Sequence, residues 1–217
     1  MEIKTLLSRL PFVEGHKSIT NGIDHNTPYH TFTYEGVKVH GLRENEKRIK
    51  LFTDIVGTHA GFSINGVLDI GCNLGTISHG INAVCWGAQP LGIDEDPAIL
   101  ELARVVYPNS NFICRSMNAI SLQEVVSRKH DVVLCLSMFE YIKEKERFLD
   151  DVCHTTGRIC IIEGHSMDLL NGNADRYEAL IRAQPWHVAR VPELTDGGTN
   201  APLESPGRPV WVCLKGG

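Results

Sequence analysis

The sequence predicts an α/β fold, a doubly wound and mostly parallel sheet closed by an antiparallel C-terminal hairpin. Three observations predict it. From Val67 onward short apolar runs alternate with amphipathic stretches of helical period, the rhythm of repeated strand–helix–strand units. The run Gly66-Val-Leu-Asp-Ile-Gly-Cys-Asn-Leu-Gly-Thr-Ile-Ser78 passes from a strand through a small-residue turn into a helix. The tail then changes character, with an extended stretch, a long polar loop and a last β-rich run.

The elements follow in order. Residues 1–10 carry Ile3, Leu6, Leu7 and Leu10 at helical spacing before Pro11 stops the pattern. Residues 12–28, rich in Gly, His, Asn, Thr and Pro, are expected to be irregular. His30–Tyr34 and Val37–Val39 read as a hairpin turning at Glu35-Gly36. A helix is expected from about Glu44 to Thr58. Strands are expected at Val67–Ile70, Pro90–Ile93, Asn111–Cys114, Asp131–Leu136 and Arg158–Ile162. Between them come helices at Thr76–Val84, Pro97–Val106, Leu122–Arg128 and Lys143–Cys153. A helix near Asp175–Ala183 precedes an extended Trp186–Val191, a loop from Thr195 to Pro209 and a strand Val210–Leu214.

The 217 residues fit one domain, 1–217, in which 1–65 form an N-terminal extension, or lid, on a core of 66–217. A net charge of −5 disfavours binding along an extended polyanion. The seven cysteines include no C-x-x-C pair and sit mostly in or beside strands, as buried thiols of a reducing, cytoplasmic compartment. The first eleven residues lack a signal-peptide core, and no apolar run reaches the ~18–20 residues that span a bilayer. No His/Cys/Asp set has metal-ligand spacing.

The turn after the first core strand fails the dinucleotide pattern G-x-G-x-x-G, since Asn73 and Thr76 stand where glycines belong. It matches instead an acid followed by small residues at alternate positions, Asp69, Gly71, Asn73 and Gly75. Asn is the commonest non-glycine residue at positive φ, so Asn73 is a mild exchange. Asp94 ends the second strand, one βα unit on, where a carboxylate can accept two ribose hydroxyls. Its competing role is a cap for the helix starting at Pro97, for which Asp96 is better placed.

This ordered set resembles the class I S-adenosylmethionine-dependent methyltransferases over roughly residues 60–214, which implies a Rossmann-like sheet and S-adenosylmethionine as cofactor. The resemblance implies cofactor-binding roles for Asp69, Gly71, Asn73, Gly75 and Asp94. It implies an adenine contact at Ser116-Met117, where Ser116 replaces the family's usual Asp, and a place between cofactor and substrate for Leu136. The lead-in Tyr29-His30-Thr-Phe32, Val39-His-Gly-Leu-Arg43 and Arg48 resembles a subgroup that includes the enzyme alkylating 5-hydroxyuridine at tRNA wobble positions with a carboxylated cofactor, and small-molecule methyltransferases. A looser likeness is to RNA 5′-phosphate methyltransferases.

Arg43 is the expected partner of the cofactor's methionine carboxylate. Tyr29 and His30 are expected to close over the transfer site. Candidate bases stand at strand ends facing the cleft, Glu163 and His165 around Gly164, and Glu140 with Tyr141 after the fourth strand. The implied activity is methyl transfer to an oxygen or nitrogen of a small-molecule acceptor. The alternatives are an RNA-modifying methyl or carboxymethyl transferase, and a catalytically silent cofactor-binding partner subunit. The sequence names neither the acceptor nor the oligomeric state.

Overall fold

A computed structural model of the chain describes residues 3–9, 17–20, 23–87, 90–119, 121–195 and 207–216. Seven strands form the main sheet. They are β1 (Val67–Ile70), β2 (Leu91–Asp94), β3 (Asn111–Cys114), β4 (His130–Leu136), β5 (Thr156–Glu163), β6 (Trp186–Thr195) and β7 (Arg208–Lys215). Their spatial order is β3-β2-β1-β4-β5-β7-β6. The first five run parallel, while β7 enters antiparallel between β5 and the edge strand β6. Strand order reverses between β1 and β4, so the C-terminal ends of those two strands open a crevice.

The helices are α1 (Ile3–Leu7), α2 (Glu46–His59), α3 (Thr76–Val84), α4 (Pro97–Val106), α5 (Lys145–Thr155), α6 (Ser166–Leu170) and α7 (Asn173–Arg182). They cover the sheet on both faces, which is why β1 and β4 are buried at every residue and are mostly apolar. One face packs Phe52 and Val56 of α2 with Ile77 and Ile81 of α3 against Val132, Leu134 and Ile161. The other packs Phe148, Leu149 and Val152 of α5 with Tyr177 and Ile181 of α7 against Val133, Cys135, Cys160 and Ile162. The seven cysteines are unpaired, and six are buried.

Several expectations need correction. Residues 17–20 and 23–26 pair as an antiparallel ribbon inside the stretch expected to be irregular, with Thr20 opposite Ile23. Asn21-Gly22 between them is a strong hairpin signal that the surrounding His, Thr and Pro content outweighed. The helix expected at Leu122–Arg128 is one 3₁₀ turn, Leu122–Glu124. Ser121 and Glu124 close a capping box, Asp151 of α5 takes the Ser121 hydroxyl and the Leu122 N–H, and the β-branched pair Val125-Val126 carries the chain toward β4. Helix α6 and a two-residue parallel pairing of Ser63–Ile64 with Trp86–Gly87 were not foreseen. Most of the loop expected at Thr195–Pro209 lies outside the described residues.

The hairpin Phe32–Tyr34 and Val37–Val39 is present, with Glu35 at φ 48° and Gly36 at φ 78° in its two-residue turn. Beyond it, the Tyr29–Arg43 stretch is tied to itself by backbone bonds from Arg43 to Tyr29 and from Thr31 to Arg43. Phe52, 0% exposed, joins α2 to the sheet. Phe52→Ala is expected to cost about 3–5 kcal/mol of stability, read as a lowered urea midpoint. A loss near zero would show that α2 is not part of the core.

Candidate functional site

A cavity of about 480 Å³ lies over the C-terminal ends of β1, β2 and β4. Its size falls within the ~300–1,000 Å³ typical of small-molecule sites. Its floor is the turn between β1 and α3. Gly71 (φ 72°), Asn73 (φ 52°) and Gly75 (φ 74°) are all left-handed there, the alternation that the small-residue pattern calls for. A Cβ on Gly71 would lie 3.0 Å from Cβ of Met138, so this position also needs glycine for space.

Asp94 ties the two loops of this end together. One carboxylate oxygen accepts the Asn73 N–H at 2.8 Å and the other accepts the Asp96 N–H at 3.0 Å. Each oxygen keeps lone pairs for a ligand. The cap of α4 is Asp96, which accepts from the Ala98 and Ile99 amides, so Asp94 is not spent on capping. Burial raises the Asp94 pKa, partly offset by those amide bonds. Asp69 is buried beneath the turn, and burial pushes it up to about 6 against the opposing bonds from Ser78. Ser116, Met117, Ile93 and Leu136 complete this end of the wall. Gly75 shapes the turn from outside the lining.

The opposite end is built from the N-terminal segment and from β4, β5 and β7. Glu163, the last residue of β5, is 0% exposed and is not among the lining residues. Arg48 of α2 grips it with two nitrogens, Nε on Oε1 at 3.1 Å and Nη2 on Oε2. The Ser137 hydroxyl donates to the same carboxylate at 2.6 Å. Burial alone would raise the Glu163 pKa, but Arg48, Arg43, Arg208 and the Ser137 hydroxyl hold it down at about 2. The expectation that Glu163 projects into the cleft is therefore corrected. It is ionised at neutral pH and lies behind the wall, while Gly164 turns back, its N–H on the Pro209 carbonyl.

Arg43 is also displaced from its expected place. It is 2% exposed, lies outside the lining and donates to the Tyr29 hydroxyl at 3.2 Å. The arginines that reach the cavity at this end are Arg48 and Arg208. Arg208 opens β7, is 5% exposed, and donates to the Ser137 hydroxyl and to the Tyr29 hydroxyl at 3.3 Å. Sequence reasoning placed no role on Arg208 or Ser137. The signals available were an Arg-Pro pair at the start of a final strand and a serine ending the fourth, neither specific in itself.

His165 lines the cavity as expected. Its Nε2 lies 2.8 Å from the Ser137 carbonyl and 3.2 Å from Oε1 of Glu140. Both are acceptors, so this nitrogen carries the proton and the lone pair sits on Nδ1. Tyr141 meets the imidazole edge-on with centroids 5.5 Å apart. Burial and then the neighbouring Glu140 push the Tyr141 phenol up to about 12, so it is a hydrogen-bond donor at neutral pH. Tyr29 and His30 line the same end. Among the described residues no set of His, Cys, Asp or Glu could hold a metal ion, and no helix is long and apolar enough to cross a membrane.

The Arg48–Glu163 pair can be tested through stability. Arg48→Met removes the two-nitrogen partner of a buried carboxylate and is expected to cost about 3–5 kcal/mol. Replacing both residues by methionine should cost much less. With the Glu163 pKa lowered from 4.5 to about 2, its contribution is full above pH 4.5 and is lost as pH falls toward 2. That amounts to about 3 kcal/mol, which urea unfolding across that range would show in the native chain and not in Glu163→Gln.

Comparison with known proteins agrees with this geometry. A family described as "Methyltransferase domain" matches residues 67–156. The "Putative methyltransferase 235L" of Invertebrate iridescent virus 6 is 29% identical over 80 residues, covering 37% of this chain and 29% of that protein. The chain thus matches under a third of the length of that curated relative. The N-methyltransferase NodS from Bradyrhizobium japonicum WM9, solved with S-adenosyl-L-homocysteine, superposes with a TM-score of 0.61 at 11% identity, over 79% of this chain and 87% of that one. Magnesium protoporphyrin IX methyltransferase from Synechocystis PCC 6803, solved with S-adenosylmethionine, gives 0.56 at 15% identity, over 78% and 79%. Strand order, the turn at Gly71–Gly75 and these matches lead to one conclusion: the chain has the fold of the class I S-adenosylmethionine-dependent methyltransferases, and its residues 67–156 match a methyltransferase domain.

Proposed function

We propose that the chain transfers a methyl group from S-adenosylmethionine to an oxygen or nitrogen of a small-molecule acceptor. The observation that carries this reading is Asp94. Its carboxylate is steered by two backbone amides to the mouth of a left-handed turn, at the crevice where strand order reverses. The residues present fit the cofactor. Asp94 offers two acceptor oxygens to the ribose hydroxyls, Met117 and Ile93 offer apolar contact to the adenine, and Ser116 stands at its edge. Arg48, which lines the cavity, offers charge to the methionine carboxylate. When bound, S-adenosylmethionine supplies an electrophilic methyl group on a positively charged sulfur.

The chain's own part is to orient the acceptor, exclude water and receive a proton. His165 is the residue suited to the last task. Its Nε2–H is anchored by the Ser137 carbonyl and by Glu140, leaving the other ring nitrogen to accept a proton while Glu140 steadies the imidazolium. Tyr141 donates as a phenol beside it. The extension of residues 1–65 acts as the lid, contributing Tyr29, His30 and Arg48 to the cavity wall.

The distribution of basic residues supports a compact acceptor over RNA. Lys38 pairs with Glu44 and Glu46, Lys50 with Asp54, Arg182 with Glu178, and Arg190 with Asp175 and Glu178. Of the Lys and Arg residues in 38–50 and 182–190, Arg48 is the one that lines the cavity. A surface that tracks a phosphate backbone gathers its cations along one cleft instead. The N-methyltransferase and porphyrin methyltransferase neighbours agree with an acceptor of this class.

Asp94→Ala is expected to weaken S-adenosylhomocysteine binding by at least a hundredfold in calorimetry. Retained affinity would remove the nucleotide-half assignment. His165→Ala should lower kcat by a factor of about 10²–10⁴, the range for loss of a general base, with S-adenosylhomocysteine affinity held within threefold. If turnover on the true acceptor is unchanged, the proton goes elsewhere.

A further inference from the structure

We infer that the acceptor carries an anionic group, a carboxylate or a phosphate, which is seated on Arg208 beside His30 and Tyr29. This rests on the reading above and names the chemical class of its substrate.

The charge balance of the acceptor end is the first ground. Arg43, Arg48 and Arg208 are 2%, 2% and 5% exposed, and the carboxylate they surround is Glu163. Arg48 is the arginine that grips that carboxylate with two nitrogens. Arg208 is paired with no carboxylate among the described residues. Its two terminal nitrogens donate to the hydroxyls of Ser137 and Tyr29, both neutral, and its Nε–H has no partner there. A guanidinium so deeply buried is costly unless an anion comes to it. S-adenosylmethionine does not repair this balance. With a sulfonium, an ammonium and one carboxylate it brings net positive charge into the same cavity. With no carboxylate paired to Arg208 among the described residues, the balancing negative charge is assigned to the acceptor.

His30 is the second ground, and it is independent of the arginine count. The Arg48 guanidinium can only donate, so the contact at 3.5 Å makes His30 Nε2 an acceptor and places the ring proton on Nδ1. That Nδ1–H is buried and has no partner among the described residues. Burial, then Arg48 and Arg43, lower the His30 pKa well below its ordinary value, so the ring is neutral and acts as a donor. Two unmade donors, on His30 and Arg208, therefore belong to side chains that line one end of one cavity. Tyr29 stands between them, its ring 4.9 Å from the imidazole and its hydroxyl on Arg208. A planar carboxylate or a phosphate offers the several acceptor atoms this arrangement lacks.

The acidic groups of the cavity lie elsewhere. Its lining carboxylates, Asp69, Asp94 and Glu95, border the turns after β1 and β2. Anion and cofactor sites are thus separate, which makes the inference testable without the true acceptor.

The experiment is calorimetry on the full chain saturated with S-adenosylhomocysteine, titrated at constant ionic strength with inorganic phosphate and, in a second arm, with succinate. Native protein is expected to bind one or both, the tighter probe identifying the group. Arg208→Gln should lose at least tenfold in that affinity while holding S-adenosylhomocysteine within threefold, and Arg208→Lys should recover part of the loss. Two results overturn the inference: no anion binding by the native chain, or a tenfold loss of S-adenosylhomocysteine affinity in Arg208→Gln, which would assign Arg208 to the cofactor. If Arg208→Gln does not fold, competition between phosphate and succinate in the native chain and the affinity of His30→Phe for the better probe decide the matter, with a threefold or greater loss expected and an unchanged value overturning it. Failure of the native chain to bind S-adenosylhomocysteine at all would instead remove the proposed function.

Discussion

The ion pair between Arg48 and Glu163 is the contact on which the end of the cavity at β4, β5 and β7 depends. It joins the first turn of α2, outside the core sheet, to the last residue of β5 at its centre. A buried pair of this kind contributes little net stability, since desolvating both ions offsets their attraction. Its effect is on geometry. Losing either partner strands a charge in the core, so α2 can dock in few other ways, and docking α2 brings Tyr29 and His30 to the cavity. Ser137 extends the same contact. Its backbone is left-handed at φ 58°, its N–H bonds the Glu163 carbonyl, and its hydroxyl links Glu163 to Arg208. A non-glycine residue in that conformation is held there by its surroundings.

The two ends of the cavity are consequently different in kind. The end below β1 and β2 is made largely of backbone, with left-handed turns and amides whose direction is set by the strand–helix geometry. Asp94 is steered there by two main-chain N–H groups and is half of a local arrangement. The end at β4, β5 and β7 is made of side chains drawn from positions 29, 30, 48, 137, 163, 165 and 208, which no local rule brings together. A shared cofactor half with a variable acceptor half is the pattern expected when function is grafted onto a common fold.

Legibility followed the same division. The turn at Asp69–Gly75 and the station of Asp94 were readable because their chemistry depends on neighbours within one βα unit. Glu163 was misread because its two-residue spacing from His165 around Gly164 suggested that both face the cleft. The Arg48 guanidinium lies far away in sequence and claimed the carboxylate, while Gly164 turned toward Pro209. Arg43 was misplaced for a related reason. Its register beside Tyr29 directs it to the hydroxyl there, and Arg48, in the first turn of α2, takes the inward position. Among the fold elements, the 3₁₀ turn at Leu122–Glu124 escaped detection because Asp151, from another helix, holds its start.

The sequence by itself determined the alternation of strands and helices, the left-handed turn and the acid one unit later, because hydrophobic period and backbone sterics act over a few residues. Only the tertiary structure decided that Arg48 grips Glu163 with two nitrogens, that Glu163 lies behind the cavity wall, and that Arg208 is paired with no carboxylate among the described residues. Those outcomes depend on how α2 and β7 pack against β5, and charges brought together from such distances in the chain leave no periodic trace in it.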